Sequence, residues 1–468
     1  MPRKTLVFAV LGCVVVVFGS SGIDLNNLLN YANQPVPDYI TRDNQPPNNP
    51  ITDAGATLGR VLFYDVKLSL DESISCANCH QQNHGFSDLA TASEGFEGGA
   101  TARHSMRLIN GRFAQEIRFF WDERAATLED QTTQPIQDHI EMGFSGENGQ
   151  PGFDELIERL NTTDYYPALF AHAFGDEEIT ENRIQRALSQ FVRSIQSFDS
   201  RYDEGRALVA NDLTPFPNFS MQENMGKQLF LNAPPMGAGC QGCHRAPEFD
   251  IDPVSLNNGI IGVIGDPDAQ DLTNTRAPSL RDLVNPSGEI NGGFMHTGEI
   301  TSLVDVVEHY NAIAINPNLD PRLAGPNGQG QNLNLTSGQI NAIAAFLATL
   351  TGTNVYIDER WSNPFTPEGE LEWVALGIDH LAAQAENPTL YPNPAHSFCK
   401  IDLRKPSSST LEVLIYTSAG KLTRNLLFEA GMQHIEIPTA SLPNGLYLLE
   451  LRSGTSQLCR PLRLLVRH

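Results

Sequence analysis

Positive charge is scarce in this sequence. Its 31 lysines and arginines stand against 55 aspartates and glutamates, a formal net charge of −24 over 468 residues. So acidic a surface repels phosphate backbones, which excludes a nucleic-acid-binding role and suits a soluble protein that meets a basic or neutral partner. Long apolar runs are scarce too. The one continuous run, Thr5 to Phe18, is short of the ~20 residues that a membrane span needs, so no stable transmembrane helix is expected. Arg3 and Lys4 precede it and small residues follow at Gly19 to Gly22. A charged start, a short apolar core and a small-residue exit make residues 1–22 an export signal, with a retained anchor as the alternative. Cys13 lies inside the run, before Val14 to Val17, which does not look like a lipoprotein cleavage site. The chain contains no low-complexity tract, and its two halves share no period.

What is present is enough for about three domains at ~150 residues each, and the 40% apolar content allows a buried core. Residues 23–50 are rich in Asn, Pro and Asp and read as an N-terminal arm. Helical periodicity then dominates to about residue 365, as in Phe153 to Leu160, Ile179 to Phe198 and Gln339 to Leu350. In the second of these, Ile184, Leu188, Phe191, Val192 and Ile195 fall on one face. Loops rich in Gly, Pro and Asn separate the helices, so a large cofactor is expected to help fill the core. Residues 366–387 form an acidic connector. From Leu390 the pattern changes to short apolar alternations broken by turns, as in Leu411 to Tyr416, His434 to Ile437 and Leu446 to Leu451, the pattern of a small all-β sandwich.

Six of the seven cysteines lie outside the signal. Two pairs belong to Cys76-Ala77-Asn78-Cys79-His80 and Cys240-Gln241-Gly242-Cys243-His244. C-x-x-C-H places two thiols for thioether bonds to a haem and a histidine beneath its iron. Zinc ribbons pair their C-x-x-C units roughly 15–20 residues apart; these two units are far more widely separated, and each carries an adjacent His that zinc does not require. A thioredoxin-like redox pair lacks its βαβ context. Two covalent haem c groups are the expected cofactors. Cys399 and Cys459 remain, either as a disulfide or as two thiols.

At this point the sequence resembles the di-haem cytochrome c peroxidase/MauG family. The resemblance runs through Leu62-Phe63-Tyr64-Asp65 and the first haem motif, then Phe119 to Ala125, Ile140-Glu141-Met142-Gly143 and Phe198 to Asp203. It resumes at Gly226 to Phe230, the second haem motif, Pro278 to Arg281, Phe294 to Gly298 and Val307 to Asn311. It covers roughly residues 50–365 and implies a mainly α fold of two cytochrome c-like haem domains, at 51–212 and 213–365. The first haem would be the peroxide site and the second would pass electrons. His80 and His244 match the proximal iron ligands. Glu141 matches the distal acid, which takes a proton from one peroxide oxygen and returns it to the other. Gln131 matches the residue that positions peroxide, and Pro135 the loop-shaping proline between them. Trp121 matches the tryptophan between the haems. Tyr310 stands where the peroxidases have a methionine ligand and MauG a tyrosine; Met295 and His309 are the alternatives. An anionic tyrosinate favours ferric iron and lowers the reduction potential.

The chain also departs from the pattern. Where many peroxidases carry a blocking histidine in a Gly-His-Gly turn, it has Glu94-Gly95-Phe96, which implies an open first haem, with His84 and His104 as nearby alternatives. His104 stands where the family has an asparagine that binds calcium between the haems. Asn291 and Gly293 match the carbonyl donors to that ion, so calcium is left open.

Leu390-Tyr391-Pro392-Asn393-Pro394-Ala395, Gly420-Lys421 and Leu442 to Tyr447 resemble a type IX secretion sorting domain, covering residues 388–468. The resemblance implies export to the periplasm, then to the cell surface or beyond. The expected activity is reduction of hydrogen peroxide to water with electrons from a donor protein such as a small cytochrome c or a cupredoxin. MauG-like oxidation of a protein substrate through a high-valent di-haem state is the alternative. A non-catalytic electron carrier is a third reading, against which Glu141 and Gln131 speak.

Overall fold

The computed structural model describes residues 23–374 and 388–468, apart from 404–405, 408, 418–420, 454–455 and 458–461. The expected signal, most of the connector and Cys459, with its pairing to Cys399, lie outside the described residues. The chain divides into two units that meet at Trp373 and Val374.

The first unit is helical, with long irregular connections. Its α-helices are α1 (Asp53–Tyr64), α2 (Cys76–Cys79), α3 (Leu128–Thr132), α4 (Phe153–Thr162), α5 (Tyr166–Phe174), α6 (Glu181–Ser194), α7 (Arg201–Ala207), α8 (Met221–Leu231), α9 (Leu303–Asn311) and α10 (Ser337–Ala348). Caps fix several starts. The Thr52 hydroxyl accepts from Gly55 N at α1 and that of Thr180 from Arg183 N at α6. Ser220 with Glu223, and Thr336 with Gln339, form capping boxes at α8 and α10.

Two helix pairs carry the core, and in each a glycine permits close approach. A Cβ at Gly59 of α1 would lie 2.1 Å from the Ala187 carbonyl oxygen of α6, and one at Gly226 of α8 would lie 1.8 Å from that of Ala342 in α10. Around α8 and α10 gather Phe230, Phe249, Ile343 and Phe346, each at most 1% exposed.

Helix α6 stops earlier than its periodicity predicts. Ile195 leaves the helix at φ −73°, ψ 106°. The Asn110 backbone N–H donates to Ile195 O at 3.0 Å, and its side chain bridges both polar groups of the Ser197 backbone. A tertiary clamp therefore extends the chain where local pattern alone would continue the helix. The arm at 23–50 is held by comparable bonds. Buried Tyr31 donates its hydroxyl to Arg360 O at 2.7 Å, and Arg42 pairs with Asp250 at 2.7 Å. Residues 366–373 are bonded into this unit as well, through Thr366 N to Glu370 O and Ile23 N to Glu372 O.

The second unit is all β, in two antiparallel sheets. One has Gly445–Ser453 between Leu411–Thr417 and Leu462–Val466, with Leu422–Phe428 on the far side of Leu411–Thr417 and the short Ser456–Gln457 also paired to Gly445–Ser453. The other orders Thr389–Tyr391, Phe398–Asp402 and His434–Pro438. Alternation places Val413, Ile415, Ile435, Ile437, Leu449 and Leu451 inside, each fully buried. Cys399 is buried in this core.

Candidate haem centres

Two cavities lie in the first unit. The first, of about 530 Å³, is lined by Cys76, Cys79 and His80 and by Trp121, Gln131, Pro135 and Glu141. The second, of about 400 Å³, is lined by Cys240, Cys243, His244, Met295 and Tyr310, and again by Trp121. Both volumes are of the size that holds cofactors.

The first motif is a short helix, α2, opened by a capping box of Ser75 and Asn78. His80 Nδ1 lies 3.1 Å from Phe86 O. Donation to that carbonyl fixes the tautomer and leaves Nε2 with its lone pair for a metal. Burial lowers the pKa of His80, which keeps the ring neutral, as a ligand must be. In the second motif His244 is held near 4 by burial and by the Arg322 charge, and its buried Nδ1 has no partner. Burial raises the thiols of Cys76 and Cys240 to about 12. All four motif thiols are unbridged. Each cavity thus has two unbridged thiols at its wall and a neutral imidazole nitrogen, the donor set of a covalently attached haem. Among the described residues no group of three His, Cys, Asp or Glu side chains is placed to hold a metal ion.

Helix α3, which carries Gln131, is pinned to α6 by a two-pronged pair between Glu129 and Arg193 at 2.5 and 2.9 Å. Burial alone would raise the Glu129 carboxyl, but the Arg193 guanidinium holds it at about 2. Glu141 lines the same cavity. Burial first, and then the nearby Asp138 charge, push its carboxyl up to about 7, against an opposing pull from Arg124. The segment that lacks the histidine leans on this residue. Phe96 N donates to Glu141 O at 3.0 Å, and a Cβ at Gly95 would lie 2.3 Å from Ile140 O. His80 and His104 are the histidines on the first cavity's lining, and His84 lines neither cavity.

Trp121 lines both cavities. Its indole donates to His104 O at 2.8 Å, and its carbonyl accepts from Thr275 N and Arg276 N. Its ring meets His296 edge-on at 6.3 Å. Phe120 and Glu123, in the same loop, have positive φ, a conformation that costs strain in a non-glycine residue.

In the second cavity one amide reaches two candidate ligands. Asn258 Nδ2 is 3.1 Å from Met295 Sδ and 3.5 Å from the Tyr310 hydroxyl. Burial pushes the Tyr310 phenol well above its ordinary value, with Asn258 opposing. His309 faces the Asn258 carbonyl at 2.9 Å and lies outside both linings.

The calcium expectation meets an obstacle at His104. The buried ring contacts Ala90 O through Nδ1 at 2.9 Å and Ser87 Oγ through Nε2 at 3.4 Å. It offers nitrogen where calcium wants oxygen. Asn291 bonds Asp282 O and Tyr356, with its Oδ1 buried and unpartnered, and Gly293 packs against Gly298. His104 therefore supplies no oxygen to such a site, and the carbonyls of Asn291 and Gly293 remain its candidate donors.

Asn258 and Arg107 were not found from sequence, while His296 fell within the matched stretch Phe294 to Gly298 without a role. The signals of Asn258 and Arg107 are single residues in irregular segments, which no spacing rule marks.

Comparison with known proteins identifies the family of the first unit and of the tail. Residues 53–208 match the family described as di-haem cytochrome c peroxidase, and residues 389–462 match the secretion system C-terminal sorting domain. The methylamine utilization protein MauG of Methylophilus methylotrophus is 32% identical over 276 residues, 58% of this chain and 76% of that protein. Cytochrome c551 peroxidase of Nitrosomonas europaea is 26% identical, over 64% of this chain and 80% of that protein. The crystal structure of a MauG-like protein associated with microbial copper homeostasis superposes with TM-score 0.57 at 28% identity, covering 71% of this chain and 99% of that one. The di-haem peroxidase BthA of Burkholderia thailandensis shares the fold, with TM-score 0.51 at 21% identity, over 70% of this chain and 91% of that one. The first unit is therefore built on a MauG-like di-haem peroxidase fold. The chain belongs to the di-haem cytochrome c peroxidase/MauG family and carries a type IX sorting tail.

Proposed function

We propose that this chain is an exported di-haem c-type peroxidase that reduces hydrogen peroxide to water with electrons from a donor protein. In this reading residues 51–212 and 213–365 are two cytochrome c-like haem domains, and peroxide is cleaved in the first. The carrying observation is that Glu141, Gln131 and Pro135 share a cavity with Cys76, Cys79 and His80, while Trp121 lines that cavity and the next.

Cys76 and Cys79 would hold one haem and Cys240 and Cys243 the other, with His80, His244 and Tyr310 as iron ligands. Bound haem would supply the redox centre where peroxide binds and from which two electrons enter the O–O bond. Glu141 takes a proton from the near peroxide oxygen and returns it to the departing one, so each turnover needs two electrons and two further protons to give two waters. Gln131 makes no side-chain hydrogen bond among the described residues and so has its amide free to orient peroxide. Trp121, fixed by its bond to His104 O, relays electrons between the two sites.

A second reading, MauG-like oxidation of a protein substrate, is favoured by Tyr310 on the second cavity's wall and by the absent blocking histidine. Peroxide consumption by the purified protein with a chemical reductant tests the first reading and separates an enzyme from a carrier. Product analysis of co-expressed proteins after peroxide treatment tests the second. The tail supports passage through the periplasm to the cell surface or beyond by the type IX machinery.

A further inference from the structure

One buried arginine has no partner among the described residues. Arg107 is 8% exposed, yet it makes no hydrogen bond or ion pair with any described residue, and its Nε is among the buried orphans. Its nearest recorded contact is the Phe294 ring, 6.0 Å away. The other buried guanidiniums are provided for. Arg193 pairs with Glu129 and Arg281 with Asp203, Arg60 donates to Ser362 O, and Arg276 is bonded to the carbonyls of Arg118 and Glu116. Burial lowers the Arg107 pKa only to about 10, so the group stays charged. An isolated buried cation is costly unless an anion meets it.

Protein carboxylates do not. Asp282 and Tyr356 feel the charge of Arg107, but no carboxylate lies within ion-pair distance of it. Asp282 spends one oxygen on Gly352 N at 2.9 Å and the Tyr356 hydroxyl at 3.1 Å. Location supplies the clue. Arg107 lines both cavities, on the segment His104 to Arg107 that forms their common wall.

We propose that Arg107 is a carboxylate-binding residue shared by the two cavities, and that the propionates of the haems are the carboxylates it holds. This rests on the reading of the cavities as haem sites. A guanidinium presents several donors in a planar fork, so one side chain can serve carboxylates from two directions. The charge has a second consequence. Reduction adds an electron to a haem, and a buried cation at its edge favours the more negative state. Arg107 therefore holds both reduction potentials up and couples the two, because pairing with one haem's carboxylates weakens its hold on the other's.

The experiment uses the full-length holoprotein and three variants, Arg107→Met, Arg107→Gln and Arg107→Lys, with haem count by pyridine haemochrome and potentials by spectroelectrochemical titration. Met and Gln each remove the charge, and Gln keeps some hydrogen bonding should Met not fold. Both should retain two haems and change the one-electron reduction equilibrium of each haem by tenfold or more towards the oxidised form, about 59 mV lower for a one-electron couple. Lys, which keeps the charge but not the fork, should shift the equilibrium less than Met or Gln do. Two haems with potentials unmoved in Met and Gln would overturn the proposal alone and make Arg107 a structural partner of Asp282. A native haem count below two would overturn the haem reading and this proposal with it.

Discussion

Glu141 offers a direct test of the proposed chemistry, because its environment fixes a pH profile. Its carboxyl is pushed to about 7, from an ordinary value of 4.5. The carboxylate form is then ~1% of the population at pH 5, half at pH 7 and ~99% at pH 9. The proposed first step is proton acceptance from peroxide, which only the carboxylate can perform. The rate of reaction of the ferric protein with peroxide should therefore rise about tenfold per pH unit below 7 and level off above 8. Glu141→Gln keeps the shape and removes the base, so the plateau should fall by about 10²-fold or more and the profile should flatten.

The charged neighbours allow the midpoint to be moved. Asp138 raises the Glu141 pKa and Arg124 lowers it. Asp138→Asn, which can still accept from Ile140 N and Glu141 N, should move the midpoint to lower pH, and Arg124→Gln should move it higher. Stopped-flow absorbance at the main haem band, between pH 5 and 9, is the assay. A flat native profile, or a Glu141→Gln rate equal to the native one, would refute the reasoning.

Replacing Cys76 with Cys79, or Cys240 with Cys243, should each remove one of two covalent haems by pyridine haemochrome; retention of both in either double variant contradicts the assignment. Low-temperature EPR of the ferric protein should show one five-coordinate high-spin haem and one six-coordinate low-spin haem, and Tyr310→Phe should alter only the latter; two low-spin signals at rest would return His104 as a ligand candidate. Gly226→Ala places a Cβ 1.8 Å from the Ala342 carbonyl, and overpacking of that kind should cost ~1–3 kcal/mol in denaturant titration. A chain ending at Trp373 should bind both haems and fail to reach the cell surface, and surface display of that truncation would contradict the sorting role of the tail.

Legibility in the sequence followed the range of the interactions. The two haem motifs are contiguous, so their chemistry can be read without a fold. The alternation in 411–417 and 434–438 is equally local and gives buried faces as expected. The end of α6 was not legible, since Asn110, distant in sequence, decides where it stops. Arg107 was not legible either. Its significance is the absence of a partner, and that is visible only once the residues around it are known. Asn258 is similar: its reach to both Met295 and Tyr310 depends on three separate segments.

The asymmetry between the cavities supports the proposed division of labour. Five acidic side chains line them: Asp122, Asp138, Glu141 and Asp250 in the first, and Asp320 in the second. A carboxyl can shuttle a proton only if its oxygens are not already committed. Asp320 is committed to Arg322 at 2.6 Å and to Leu256 N, and although burial opposes it, these bonds hold its pKa low. Asp122 is paired with Arg103 and Arg124, and Asp250 with Arg42 and Gln115 N. Asp138 caps the backbone of Ile140 and Glu141. Glu141 alone of the five has no hydrogen bond to its carboxyl among the described residues, and it is the one whose pKa is brought to about 7. A group that is free, desolvated and half-ionised near neutrality can take a proton and give it back in one turnover. Among the described residues the second cavity's lining has no such carboxyl; a phenol and a thioether share one amide there instead. The proposal of bond cleavage in the first cavity and electron passage in the second rests on this difference.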